Sequence, residues 1–130
     1  MKKLIREIPL PNGLTVRFFD ATRRYFGDYH QVRINICCEV PLSADLFEDE
    51  AAHHDAAKLL GASVCYSKDI EHQGVATNDI PGTVEKVIQH FVDHSLSYLS
   101  GAEFPRKLVQ SELKRILGKR KAFVVGGYRG

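Results

Sequence analysis

Two histidines, His90 and His94, stand four residues apart in a stretch with helical periodicity. That spacing puts both imidazoles on one helix face, where they could grip a divalent cation. In the zinc protease motif a Glu follows the first His; here that position is Phe91. A third ligand has to come from elsewhere, with His72 and His54 the candidates. The chemistry on offer is metal-assisted hydrolysis. It is the third of three functional readings for this chain, because paired histidines without a ligand role are common.

Charge gives the stronger signal. Residues 105–130 hold eight Lys/Arg (Arg106, Lys107, Lys114, Arg115, Lys119, Arg120, Lys121, Arg129) against one acid, Glu112, a net +7. Residues 34–57 hold six acids (Glu39, Asp45, Glu48, Asp49, Glu50, Asp55) and no Lys or Arg, a net −6. The formal +2 of the whole chain hides this sorting. Segregated charge bears on partners and assembly rather than on fold. Lys107, Lys114 and Lys121 recur every seven residues and fall near one helical stripe, which Arg106 broadens. Such a stripe attracts phosphate. A second basic cluster, Arg23-Arg24-Tyr25-Phe26, sets two guanidiniums beside two aromatics, a composition suited to stacking on a base or on another protein.

Other reactive groups resolve into structural roles. His54-Asp55 resembles the doublet of HD phosphohydrolases, but that family is all-helical and strands occupy the first third of this chain. Cys37 and Cys38 are neighbours, and bridging neighbours is strained, so three reduced thiols and a cytoplasmic setting are expected. There is no nucleophile elbow, phosphate-cradling glycine loop or Cys-x-x-Cys pair. Catalysis is therefore not the leading expectation, and no cofactor is implied.

The elements that must position these residues can be read from periodicity. Apolar stretches at about 3–10 and 14–21 flank Pro11-Asn12-Gly13, a hairpin signal. In 29–40, Val32, Ile34, Ile36, Cys38 and Val40 share one face; Gln31, Arg33, Asn35, Cys37 and Glu39 share the other. That is an antiparallel strand with one wet side. The link 22–28 reads as a hairpin tip. Asp45 with Glu48 predicts the cap of a first helix running to Leu60 and stopped by Gly61. Residues 64–72 alternate as a fourth strand, with a loop over 74–79. A second helix begins near Asp79 and Pro81 and carries Val84, Val87, Ile88, Phe91, Val92 and Leu99. Ser100 and Glu103 predict a capping box for a third, basic helix that Gly118 ends.

The order β-β-β-α-β-α-α predicts a two-layer α+β domain: an antiparallel sheet of three or four strands with three helices on one face. Residues 1–121 form that single domain and 122–130 a C-terminal tail. No apolar stretch approaches a membrane span. The segment Ile8-Pro9-Leu10-Pro11-Asn12-Gly13-Leu14-Thr15-Val16, with Gly27-Asp28 and Val32-Arg33, resembles a small family of bacterial proteins of unknown function. The resemblance covers about the first 40 residues and implies a bacterial, cytoplasmic protein with no assigned site residues. Three functions follow in order: a non-catalytic interaction module forming a homo-oligomer, a nucleic-acid-binding domain using the basic C-terminal helix, and a metal-dependent hydrolase. The interaction surface is expected at Arg23, Arg24, Tyr25, Phe26, Arg106, Lys107, Lys114 and Lys121. Its partner is a second copy or an anionic surface, nucleic acid or acidic protein.

Overall fold

A computed structural model describes residues 2–129, with the side chains of 25, 26 and 120–129 outside the described set. The chain is α+β, with a five-stranded antiparallel sheet and four helices. The strands are β1 (Lys3–Pro9), β2 (Thr15–Asp20), β3 (Arg23–Phe26), β4 (Tyr29–Pro41) and β5 (Ser63–Ala76). The helices are α1 (Glu50–Leu60), α2 (Ile80–His94), α3 (Leu96–Ser100) and α4 (Phe104–Arg129). Residues group into two compact units. The first comprises Met1–Glu39 and Cys65–Gly101, the second Val40–Val64 and Ala102–Gly130.

In the first unit, β4 is the central strand. It pairs with β2 and β3 along one edge and with β5 along the other. The alternation read from sequence holds: Val32, Ile34, Ile36 and Cys38 are all fully buried. Helix α2 covers this face. Val87, Ile88 and Phe91 are buried on it, and the Phe91 ring meets Phe18 of β2 edge-on at 5.7 Å.

The expected hairpin tip is shorter than 22–28. Register shows why: Val16 pairs with Cys38 and Asp20 with Ile34, and the same offset continues as Arg23 with Gln31. β3 thus resumes the β2 ladder after a break at Ala21 and Thr22. Hydrogen bonds still bridge the break. Ala21 N–H donates to the Arg33 carbonyl, and Arg33 N–H to the Thr22 hydroxyl. Four residues without alternation give a sequence reading nothing to detect.

The Pro11-Asn12-Gly13 turn takes its positive φ at Gly13 alone, +87°. Asn12 contributes through its side chain. Its amide donates to the Leu99 and Gly101 carbonyls at the end of α3, and its Oδ1 accepts from Leu14 N–H. The expected second helix ends earlier than Leu99. It breaks at Ser95, and a five-residue α3 follows. Ser100 is not a cap for the next helix: its hydroxyl donates back to the Leu96 carbonyl within α3.

In the second unit, α1 starts later than expected. Asp49, not Asp45, is the cap and accepts from Ala52 N–H at 2.8 Å. Asp45 lies in a 3-10 turn, Ala44–Leu46, and is engaged by the Ser43 hydroxyl. That bond holds its carboxyl below the usual range. Gly61 does end α1, at φ +85°. Helix α4 runs through Gly118 to Arg129, so residues 122–129 continue the helix. Among the described residues, Val40, Ala56, Val64, Phe104 and Val109 are the buried apolar side chains of this unit.

Candidate functional site

Three surfaces hold the residues singled out by sequence. The first is the wet face of the sheet in the first unit. Here β5 lies across β4 so that alternate residues meet directly. Gln31 donates to Glu71, Arg33 to Asp69 at 2.9 Å, and Asn35 to Ser67 and Asp69. Arg33 also approaches Glu71 at 3.4 Å, and Arg17 pairs with Glu7 across β2 and β1. The bonds to Arg33 and then Asn35 hold the Asp69 carboxyl below the ordinary aspartate range. The Lys2 ammonium lies 5.1 Å over the Phe19 ring. Arg17 and Arg33 of this face are thus matched by acids from β1 and β5.

The same register carries Cys37 onto Cys65, whose Cα atoms are 6.5 Å apart and which form a disulfide. Three reduced thiols were expected from the adjacency of Cys37 and Cys38. The correction comes from a pairing 28 residues away in sequence, which only the β4–β5 register reveals. Cys38 alone stays free, and burial pushes its thiol pKa up.

Within the tip cluster, Arg23 donates to Gln31 and Arg24 to the Gly27 carbonyl, so both guanidiniums brace the β3–β4 hairpin. The side chains of Tyr25 and Phe26 lie outside the described residues, as does that of Lys121.

The second surface is on α2. His90 and His94 stack with ring centroids 4.2 Å apart and 27° between planes, and His94 Nδ1 bonds the His90 carbonyl at 2.9 Å. Metal coordination needs in-plane lone pairs that converge on one point about 2.0–2.1 Å from each nitrogen. Stacked rings direct theirs side by side. Among the described residues no group of three or more His, Cys, Asp or Glu is placed to hold a metal ion. The Nδ1–carbonyl bond turns His94 back on its own helix. Beside it, a half-open groove of about 540 Å³ runs between β5 and α2, lined by Ile70, His72, Thr83, Lys86, Val87 and His90.

The third surface belongs to the second unit. Two adjoining hollows of about 310 and 480 Å³ run between α1 and α4, sharing Ala52 and Leu113. Their floor is apolar: Phe47, Ala56, Leu59 and Leu117 join the shared pair, and Leu117 is 48% exposed. Small alanines on α1 keep the trough unfilled. Glu48 and Asp55 stand on the α1 side and Arg106 on the α4 side, with Lys58 the basic exception on α1. Arg106 donates to the Asp45 carbonyl, and Arg115 pairs with Glu112 at 2.7 Å. Lys107 and Lys114 are exposed on α4. The sequence indicated the two charge blocks, but not the apolar trough between their helices.

The chain matches no protein-family model, no curated protein and no solved structure in comparisons with each.

Proposed function

We propose that this protein is a non-catalytic interaction module that self-associates through the α1–α4 face of its second unit. The observation that carries this reading is the apolar trough, flanked by Glu48 and Asp55 on the α1 side and Arg106 on the α4 side, with Leu117 nearly half exposed. A two-fold interface sets the same patch against itself. Antiparallel apposition then brings Glu48 and Asp55 of one copy toward Lys107 and Lys114 of the other. The trough supplies the water-excluding centre and the charges supply the polar rim, the usual anatomy of a specific interface. Helix length supports the same face. At 1.5 Å per residue, α4 is about 39 Å long and α1 about 16 Å, so α1 flanks less than half of α4.

Sedimentation velocity across a concentration and salt series tests this. The expected result is a dimer that weakens with salt and becomes a monomer in Leu117→Glu, with unchanged helix content by circular dichroism. A wild-type monomer at every concentration and salt overturns it. The exposed Lys107–Lys114 stripe favours a second reading, nucleic-acid binding by α4. Fluorescence anisotropy with a labelled single-stranded oligonucleotide tests that one. It predicts affinity that falls steeply with salt and is lost in the Lys107→Glu, Lys114→Glu double variant; no binding at low salt ends it.

A further inference from the structure

We infer that the groove between β5 and α2 binds a small organic anion, a carboxylate carried on a short apolar body. This goes beyond self-association and concerns the other unit, so the two stand or fall separately. The groove's volume, about 540 Å³, is within the range of small-molecule sites. Its walls divide by chemistry. Ile70 of β5 and Val87 of α2 form the apolar part, and Val87 is buried. Lys86, His72 and His90 line the remainder with Thr83, and no acid lines it. The nearby acid Glu85 is occupied by Arg6 through a two-pronged bond, at 2.7 and 3.2 Å. Lys86 thus brings one uncompensated positive charge to an otherwise apolar hollow, and the two imidazoles and the threonine hydroxyl bring hydrogen bonds.

A second observation comes from β4. The cross-strand contacts Gln31–Glu71, Arg33–Asp69, Asn35–Ser67 and Cys37–Cys65 lead along β4 and β5 toward His30 and His72 at the same end of the two strands. By strand parity both lie on the face that carries Val32 and Ile34. His30 Nδ1 is buried without a hydrogen-bond partner among the described residues. Buried polar groups are seldom left so. With the ring proton on Nδ1, an oxyanion seated at the His72 end of the groove offers that nitrogen an acceptor. A neutral ligand leaves the Lys86 charge unmatched.

The experiment is a titration of sodium octanoate into uniformly 15N-labelled full-length protein, followed by amide and imidazole NMR, with octanamide as the neutral control. Octanoate is expected to move the amides of Ile70, Thr83, Lys86, Val87 and His90 and the ring nitrogens of His30. Octanamide is expected to bind more weakly. Lys86→Gln, an exposed change that leaves the fold alone, should weaken octanoate about two- to fivefold, the ordinary worth of one exposed ion pair. Thr83→Trp, which fills the groove and keeps its charge, should abolish the shifts. Equal binding of octanamide, shifts centred on α1 and α4, or no saturable shift at all would each overturn the proposal.

Discussion

Replacing Asn12 with alanine removes three hydrogen bonds that one side chain makes within the first unit. Its amide donates at 2.8 Å to the Leu99 carbonyl and at 3.0 Å to the Gly101 carbonyl, while Oδ1 accepts from Leu14 N–H at 3.2 Å. The side chain thus ties the β1–β2 turn to the carbonyl end of α3. Each such bond is worth about 0.5–1.5 kcal/mol net. The site is part-buried, so water can replace some of what is lost; the expected cost is about 2–3 kcal/mol. Asn12→Asp sharpens the test. It keeps the acceptor for Leu14 but sets a carboxylate oxygen against two carbonyls at a helix C-terminus, where negative charge is unfavourable. It should cost at least as much as alanine at pH 7. Protonating the carboxyl restores one donor, so part of that loss should return toward pH 4. Urea unfolding, read at unchanged m, measures both variants. A cost below about 0.5 kcal/mol for Asn12→Ala, or wild-type stability for Asn12→Asp at pH 7, would refute the assignment.

Other expectations concern separate parts of the chain. Phe91→Ala removes a fully buried ring packed on Phe18 and should cost about 3–5 kcal/mol in urea unfolding. Asp69 has a depressed carboxyl pKa, so its contribution to stability is complete above the unfolded aspartate pKa of about 3.9 and is lost as pH falls through the lower folded value. Asp69→Asn should therefore lower urea stability at pH 7, and the gap from wild type should close as pH falls through the lowered folded value. Intact mass after alkylation in denaturant, with and without reductant, should reveal one free thiol before reduction and three after it. Across a 28-residue separation, the chain-entropy relation puts the stability lost on reduction at about 3–4 kcal/mol. Gly61→Ala forces a side chain to φ +85° and should cost about 1–3 kcal/mol, measured in the same way.

What sequence could reveal was set by range. The β4 alternation and the α2 stripe depend on residues two to four apart, and both are realised: Val32 through Val40 are buried at every second position, as are Val87, Ile88 and Phe91. The start of α1 was misplaced by a local ambiguity. Asp45 has an acid three residues on and Asp49 has Ala52, so the capping-box pattern favours the wrong aspartate. The acids that match Arg33 are 36 and 38 residues away, and the disulfide partner of Cys37 is 28 away. Those pairings need the β4–β5 register, which neither strand encodes alone. The trough between α1 and α4 was illegible for the same reason; the groove between β5 and α2, neighbours in sequence, depends instead on how α2 folds back against the strand. Sequence did identify His90 and His94 as a helical pair, but ring orientation decides whether such a pair can chelate.

The second unit is assembled from two separated stretches, Val40–Val64 and Ala102–Gly130. This has a consequence during synthesis. Helix α1 is complete once Leu60 has emerged, yet its partner α4 reaches Val109 only about 50 residues later. At about 5–20 residues per second the wait is roughly 2–10 s. A hairpin such as β1–β2 closes within about 10 μs. The first unit can form its sheet while α1 still has no α4 of its own chain to pack on.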